Sequence, residues 1–428
     1  MKKARLLLSG LLAVPTLAFM PFGNSSTAYG GENVSFIDNV TPYLVFRPRY
    51  EFVDDNVHKN ANALTIRTVI GVHIGSVFGV KGLKAQIEAT NVSALVDNYN
   101  STSAAGNNDP KYAVVIDPPT TRITQANLTY TTGKTTFIVG RKMVTLDNHR
   151  FIGNVGWRQM PQTFGVIAVV DNSIKNLNLL GAFVYERLGI KDELNAEWPL
   201  SKAPILLHAS YTVSKALKIT AYDYMLTDIH DTYGLRLTGI KPISKDIKIS
   251  YVLEGAKQTD PSRKDKWDST TQDVDSYYYN IGIGGYVSGF ILGAHLEALG
   301  EYKGNMPGGK GFSTPLATAH KFQGWSDVLL PLEIKGNPNG LRDLYVAVGY
   351  KAKNFGKGLI RFHRYRSIGG SDYGNEWEFL YVRKLTKRLG FLAKAALYKA
   401  GDDLGFPVNN PTVNEDVSKY WLQLVYKY

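Results

Sequence analysis

Apolar and polar residues alternate along most of the chain, between positions 43 and 428. Leu64 and Ile66, for example, alternate with Thr65 and Arg67. A period of two places successive side chains on opposite faces of a β-strand, so each strand would have one apolar and one polar face. The pattern therefore predicts an all-β protein.

The alternation divides the chain into about eighteen strands of roughly 8 to 12 residues, the length that crosses a bilayer when a strand is tilted. A count of sixteen also fits the pattern. The strands are predicted to begin near Tyr43, Ala61, Leu83, Arg122, Thr135, Phe164, Leu177, Ala203, Leu217, Thr232, Asp246, Asp275, Phe290, Asp343, Lys357, Gly374, Leu389 and Ser418.

The lengths of the connections alternate as well. Every second connection is a tight turn, as at Thr132–Lys134 and Ser214–Ala216, and those between are generally longer, as at Ala94–Thr121 and Gly300–Arg342. Sandwiches and propellers have no reason to sort connection lengths in this way. The pattern predicts one transmembrane antiparallel β-barrel with short periplasmic turns and long extracellular loops.

The N-terminus is typical of an export signal. Basic residues precede an apolar run from Leu6 to Phe22, and small residues follow it, so residues 1–28 are predicted to be a signal peptide. An uncleaved anchor is the alternative, but Pro15 interrupts a run that is shorter than the ~20 residues of a spanning helix. Residues 29–428 would then form a single barrel domain in the outer membrane.

Composition narrows the function. The 428 residues include 49 Lys or Arg, 37 Asp or Glu and no cysteine, with a net charge of +12. The absence of cysteine excludes disulfides, thiol chemistry and cysteine-based metal sites. The basic balance suits an anionic partner, and export favours a membrane surface or a solute over nucleic acid. Gly 41, Tyr 26 and Phe 18 agree with a β fold.

The faces of the strands assign charged residues to the lumen. A charged side chain that faces lipid at the bilayer midplane costs ~2 to 4 kcal/mol, so such residues are expected to face inward. The alternative is that they are ion-paired wall residues with no role toward a solute. The pore-lining candidates for charge selectivity are Arg47, Arg49, Glu51, Arg67, Glu88, Arg236, Arg361 and Lys394.

Two long connections, near residues 143–163 and 300–342, are predicted to fold into the barrel. The second contains Phe312–Ile334, which has too much apolar surface to remain in water. The first combines aromatic residues, amides and two arginines, which could discriminate between solutes by hydrogen bonding and charge. Packing against the rim is the alternative for both. The constriction-loop candidates are Arg150, Trp157, Arg158, Lys321, Gln323, Trp325 and Asp327.

Several segments resemble the bacterial outer-membrane porins of the alginate-export-domain family. They are Arg47–Asn56, Ala61–Thr68, Ile87–Asn100, Thr121–Tyr130, Leu146–Phe164 and Phe312–Asp327. The resemblance implies an eighteen-stranded barrel whose basic lumen, here Arg47, Arg49, Arg67, Arg236, Arg361 and Lys394, would guide an acidic polysaccharide. The last strand, ending in Tyr428, is similar to the C-terminal assembly signal of outer-membrane barrels.

We therefore expect a channel for passive passage of ions and small hydrophilic or anionic solutes, with export of an acidic polysaccharide such as alginate as the alternative. A barrel-embedded hydrolase is a third hypothesis, for which Asp147 with His149, and Asp228, His230 and Asp231, are the nearest constellations. No G-x-S-x-G or H-E-x-x-H motif accompanies them.

The expected partners are outer-membrane lipids and lipopolysaccharide, the barrel-assembly machinery and small hydrophilic or anionic solutes. No cofactor, metal or nucleic acid is expected. The sequence leaves the oligomeric state and the identity of the solute open.

Overall fold

The computed structural model describes residues 37–104, 106–191, 194–264, 273–306, 308–402 and 414–428. The predicted signal peptide lies outside the described residues. The strands are β1 (Ile37–Asp54), β2 (Ala61–Val77), β3 (Leu83–Asn98), β4 (Thr120–Thr132), β5 (Thr135–Lys142), β6 (Thr163–Asp171), β7 (Leu177–Leu188), β8 (Leu194–Glu197), β9 (Ile205–Ser214), β10 (Leu217–Leu226), β11 (His230–Pro242), β12 (Ile247–Thr259), β13 (Asp275–Val287), β14 (Phe290–Leu299), β15 (Leu341–Ala352), β16 (Gly356–Arg366), β17 (Asp372–Lys384), β18 (Leu389–Lys399) and β19 (Val417–Lys427).

The sheet closes on itself. Each strand pairs antiparallel with its neighbours, and β1 pairs with both β2 and β19. The backbone of Leu44 exchanges two hydrogen bonds with that of Tyr428, at 3.0 and 2.9 Å. The four-residue β8 pairs only with the end of β7. The rest of β7 pairs directly with β9, so β8 is not a separate strand of the barrel wall. The closed barrel therefore has eighteen strands, as the sequence predicts.

The connections at one end of the barrel are all tight. The turn between β13 and β14, for instance, consists of Ser288 and Gly289, with φ of 48° and 98°. Two positive φ angles match the twist of a hairpin, and glycine adopts the second at no steric cost. The other end carries the long connections 99–119, 143–162 and 300–340. Three of its connections are nevertheless short, including residues 227–229 between β10 and β11.

The outer surface is apolar. Ile70, Ile283 and Val348 point away from the barrel and are 64%, 58% and 54% exposed. At the end with the tight turns, aromatic rings form a continuous row with centroids 5.1 to 6.3 Å apart, made up of Phe290, Tyr350, Phe355, Tyr381 and Phe391. Apolar bands bordered by aromatic rings are typical of barrels in a bilayer.

Connection 300–340 contains two short helical segments, the 3-10 turn Ala319–Lys321 and the helix α1, Leu330–Lys335. Among the described residues, no helix is long and apolar enough to cross a membrane.

The two faces of a strand should respond differently to an added charge. Leu237 pairs with the outward-facing Leu253, and the next residue, Thr238, pairs with Val252 on the inner face. We expect Leu237→Lys to lower the free energy of unfolding by about 2 to 4 kcal/mol, because the ammonium group would face lipid. Thr238→Lys should cost less than about 1 kcal/mol, because the lumen is polar. Urea titrations in phospholipid vesicles measure both values, and equal losses would contradict the assignment of faces.

Candidate functional site

The connection of residues 143–162, which we call the first inner loop, covers Arg47 of β1. The Arg47 guanidinium donates hydrogen bonds to Gln159 Oε1 at 2.9 Å and to the Gly156 carbonyl at 3.0 Å. Gln159 in turn donates to Thr65 Oγ1 of β2 at 2.9 Å. The loop is thus fastened to the inner wall through an arginine that sequence alternation had assigned to the lumen.

Arg49 is completely buried under the same loop. Its guanidinium carbon lies 4.0 Å from the centre of the Trp157 ring, and its Nε donates to Gln423 Oε1 of β19 at 3.0 Å. Asp117, from connection 99–119, lies 3.5 Å from Nη1. Arg49 therefore faces the interior and contacts protein groups on several sides.

Arg158 joins the wall to two further connections. Its Nη1 is 3.1 Å from Glu51 of β1, and its Nη2 is 2.7 Å from Asp327 in residues 300–340, which we call the second inner loop. Asp117 lies 3.9 Å away. Buried ion pairs of this kind fix geometry, since removing one partner leaves an uncompensated charge.

Arg150 connects the two inner loops to each other. Its guanidinium contacts Glu333 at 2.5 Å, Glu297 of β14 at 3.1 Å and Gln323 at 2.8 Å. The loops also approach closely at Gly153, whose backbone N–H donates to the Leu316 carbonyl at 2.9 Å. A Cβ at position 153 would lie 2.2 Å from the Thr318 hydroxyl, so only glycine fits there.

Lys394 of β18 occupies an aromatic cage. Its ammonium nitrogen lies 3.8, 3.9 and 4.9 Å from the ring centres of Trp325, Trp157 and Trp421. It also lies 2.6 Å from Nε2 of His320. The cage takes one tryptophan from each inner loop and one from β19, so the cation–π contacts fasten both loops to the wall.

His320 supports the cage as a neutral imidazole. Burial lowers its pKa to about 3 despite the nearby Asp327 carboxylate. Because Lys394 donates to Nε2, the ring proton is assigned to Nδ1, which lies 2.6 Å from Asp327 Oδ1. The Trp157 ring stacks on the imidazole with centroids 5.1 Å apart.

The second inner loop is anchored to β17 by two carboxylates. Glu376 accepts hydrogen bonds from the backbone N–H groups of Trp325 and Ser326 at 2.6 and 3.0 Å, and from the Ser326 hydroxyl at 2.6 Å. Glu378 accepts from Trp325 N–H at 2.9 Å and pairs with Arg361. The Arg361 guanidinium lies 4.4 Å from the centre of the Trp325 ring.

The remaining wall candidates also face the interior. Arg236 pairs with Glu254 on the adjacent strand. Glu88 accepts hydrogen bonds from Tyr43 at 2.7 Å and from two β4 side chains, and Arg67 is half-buried. Many of these charges thus bond to protein groups. Contact of any of them with a solute stays a prediction.

The constriction-loop candidates differ in exposure. Trp157 and Lys321 are half-buried, whereas the buried ones are Arg150, Arg158, Gln323 and Trp325, and the Asp327 side chain is 8% exposed. The Lys321 ammonium donates to the Asn148 carbonyl at 2.8 Å. Burial, followed by the charges of Arg236 and Arg361, lowers the pKa of Lys321 to about 8.

A second group of inward-facing cations lies close to the tight turns. We call it the lysine ring; its members are Lys84, Lys218, Lys248, Lys351, Lys357, Lys384 and Lys427. Lys357 and Arg361 are four residues apart on β16, and Lys384 and Glu378 six apart on β17, so each pair shares the inner face. Within the described residues, no carboxylate lies within 4 Å of these seven ammonium groups. None of the seven is among the pore-lining candidates for charge selectivity, although alternation in the sequence already assigns Lys248 to the lumen.

A polar recess of about 430 Å³ adjoins the lysine ring at Lys218. Asn178 and Ser210, which are register partners on β7 and β9, lie on its wall. Asn172, Asn176 and Thr212 complete the polar lining. This end of the lumen therefore combines positive charge with amide and hydroxyl groups.

The two constellations of the hydrolase hypothesis do not form. Asp147 pairs with His208 of the wall at 3.0 Å instead of with His149. His230 is buried on the inner face of β11, and Asp231 follows it on the other face.

Comparison with known proteins supports the fold. OccAB2 of Acinetobacter baumannii is 17% identical, with a TM-score of 0.68 over 92% of this chain and 99% of that chain. The outer membrane protein OpdK of Pseudomonas aeruginosa is 13% identical, with a TM-score of 0.68 over 92% and 100%. OccK8 (OprE) of the same organism is 15% identical, with 0.66 over 92% and 99%.

The comparisons at the level of sequence are negative. No protein-family profile matches the chain, and no curated protein matches it. They therefore do not support membership of the alginate-export-domain family, whereas the solved structures support the barrel of outer-membrane porins.

Release of the second inner loop should widen the path through the barrel. Glu376→Ala removes the acceptor of three hydrogen bonds. The Trp325 N–H keeps Glu378 as an acceptor, whereas the two buried donors of Ser326 are left unsatisfied at about 1 to 3 kcal/mol each. We expect a larger single-channel conductance in planar bilayers. Glu186→Ala, which breaks the ion pair with Arg141, is the control and should conduct as the parent does. A Glu376→Ala channel of unchanged conductance would place the narrowest section elsewhere.

The charge of Lys321 should make ion selectivity depend on pH. With a pKa of about 8, the ammonium group is charged below pH 8 and neutral above it. Anion preference, measured as reversal potential in a KCl gradient, should fall between pH 7 and pH 9. Lys321→Arg should remove this decline because arginine stays protonated. Lys321→Met should resemble the parent at pH 9 throughout, and a parental decline in Lys321→Met would assign the titration to another group.

Proposed function

We propose that the protein is an outer-membrane channel for passive passage of ions and small hydrophilic solutes, with a preference for anions. The observation that carries the proposal is the lysine ring, seven inward-facing ammonium groups without a nearby carboxylate among the described residues. Cations that line a pore raise the local concentration of anions and repel cations.

The positive field is concentrated at the end of the lumen with the tight turns. The inner-loop region contains many arginines, but Glu51, Glu254 and Glu378 pair with Arg158, Arg236 and Arg361 there. Lys351, Lys357 and Lys384 lie on three neighbouring strands, β15 to β17. Neighbouring strands are ~4.8 Å apart, which is less than the Debye length of ~8 Å at physiological salt, so the fields of these three lysines overlap and act together on a passing ion.

The apolar outer surface and the aromatic row support an outer-membrane location. The neighbour OpdK is itself described as an outer membrane protein. With a signal peptide at residues 1–28, the chain would cross the inner membrane first. The tight turns and the lysine ring would then face the periplasm, and the inner loops would descend from the extracellular side.

The inner loops favour short solutes over a polysaccharide as the molecules that pass through the channel. A structure of OpdK contains vanillate, an organic anion, and that chain is 14% identical to this one with a TM-score of 0.66. Export of an acidic polysaccharide such as alginate is the alternative, and the same lysine ring would serve it. We favour small anions because ion pairs and hydrogen bonds fasten both loops across the lumen.

Neutralising the lysine ring should reduce anion preference. In Lys218→Ser/Lys248→Ser/Lys357→Ser we expect the chloride-to-potassium permeability ratio to fall by about threefold or more at low salt, where screening is weakest. The matched control is Lys241→Ser/Arg383→Ser/Lys387→Ser, which removes exposed cations that point outward or lie in a turn at the same end of the barrel. Equal changes in the two variants would show that the ring lies outside the conduction path.

Cysteine labelling tests the same prediction independently, because the sequence contains no cysteine that would react in the background. A negatively charged methanethiosulfonate should alter the current of Lys248→Cys and leave that of the outward Lys241→Cys unchanged. Vesicle swelling with neutral sugars, organic acids and alginate oligosaccharides then distinguishes a small-anion channel from an exporter.

A further inference from the structure

Four basic residues point outward at the extracellular ends of β15, β16 and β18. We call Arg342, Arg364, Arg366 and Lys399 the outer basic patch. Arg342 lies two residues from Leu344, which is 51% exposed on the apolar surface, so both side chains face away from the lumen.

The register brings these four residues together. Arg342 is the direct cross-strand partner of Arg366, and Arg364 is the partner of Leu344. Asn375 of β17 pairs with Arg364 on one side and with Lys399 on the other. Adjacent strands are ~4.8 Å apart, so Arg364 and Lys399 stand about 10 Å from each other. The patch thus consists of two pairs of cations on a continuous surface.

The patch carries a net positive charge. Within the described residues its one ion pair joins Arg364 to Asp372 at 3.7 Å, with the two side chains 51% and 39% exposed. Asp372 is also the cross-strand partner of Arg366, so a single carboxylate accompanies the four cations. The Arg366 Nε atom is buried and has no hydrogen-bond partner.

Two outward-facing cations at the same end of the barrel contrast with the patch. Arg141 pairs with Glu186 at 2.6 Å, and Lys257 pairs with Asp275. Like charges on adjacent strands repel each other, so an arginine opposite an arginine is unfavourable unless an anion lies between them. The patch, with one carboxylate for four cations, therefore differs from these two one-to-one pairs.

The height of the patch matches the outer edge of the apolar band. Arg342 lies eight residues along β15 from Tyr350 of the aromatic row. Eight residues span ~26 Å along a strand and ~20 Å along the membrane normal at a tilt of about 40°, in a band ~25 Å tall. The long arginine side chains can then reach the level of the lipid phosphates.

We propose that the outer basic patch binds the phosphate groups of lipid A in the outer leaflet. Arg342 with Arg366 would hold one phosphate, and Arg364 with Lys399 the other, because guanidinium groups bind phosphate through two parallel hydrogen bonds. The exposed Leu344 and Trp377 below the patch, 51% and 46% exposed, would contact the acyl chains. The inference rests on the outer-membrane location proposed above, and not on conduction.

Lipid A fits this surface better than a phospholipid. Its headgroup carries two phosphate monoesters, each with more negative charge than a phosphodiester, and two cation pairs are present. The control surface is the opposite end of the same barrel, where Lys241, Arg383 and Lys387 also point outward or lie in a turn. Those residues would face the inner leaflet.

Native mass spectrometry of the detergent-solubilised full protein tests the proposal directly. We expect diphosphoryl lipid A to be retained about tenfold more strongly than dephosphorylated lipid A or phosphatidylglycerol. Equal retention of dephosphorylated lipid A would overturn the role of the phosphates, and equal retention of phosphatidylglycerol would reduce the patch to a general anionic surface. Both comparisons use the unaltered chain and need no variant.

Substitution then locates the site. Arg342→Ser/Arg366→Ser/Lys399→Ser should lose about tenfold in retention of diphosphoryl lipid A, and Lys241→Ser/Arg383→Ser/Lys387→Ser should retain it as the parent does. Undiminished retention by the first variant would overturn the assignment. Heat-dependent mobility in gels checks that both variants fold. Ion selectivity, recorded on the same preparations, should be unchanged in the first variant, so failure of the channel function can be recognised separately.

Discussion

The structure depends on one constraint, which is that a backbone in lipid must satisfy all of its own hydrogen bonds. A sheet meets this requirement only when it has no edge, and here the edge disappears where β1 meets β19. Closure separates an outer from an inner face along every strand. Two-residue alternation then decides which side chains face lipid and which face the lumen.

The second constraint is electrostatic, because the interior of the barrel contains many charged side chains close together. In the inner-loop region, Arg150 and Arg158 each contact two carboxylates within 3.1 Å, and these pairs tie the loops to the wall and to each other. Near the tight turns the lysines have no such partners among the described residues. Opposite charges therefore shape one part of the lumen, and a single sign of charge dominates the other.

Much of the fold can be predicted from the sequence, because period-two alternation and connection lengths are local properties. The four-residue β8 cannot be predicted, since four residues are too few to show a period of two. The aromatic cage around Lys394 cannot be predicted either, because it combines residues from both inner loops and β19. Alternation assigns Arg49 inward but gives no information about height, so its burial under Trp157 requires the three-dimensional register. The apolar content of Phe312–Ile334 indicates that the segment must pack, without identifying its partners.

The pairing of Val45 with Lys427 also has a kinetic consequence. The contact that completes the sheet joins β1 to β19, so all of the strands between them must be synthesised before it can form. Contacts of such long sequence separation carry the largest loop-closure entropy and form slowly. Until then the unpaired edges of β1 and β19 are templates for association with other chains. Assembly therefore requires that both edges be shielded until the last strand arrives.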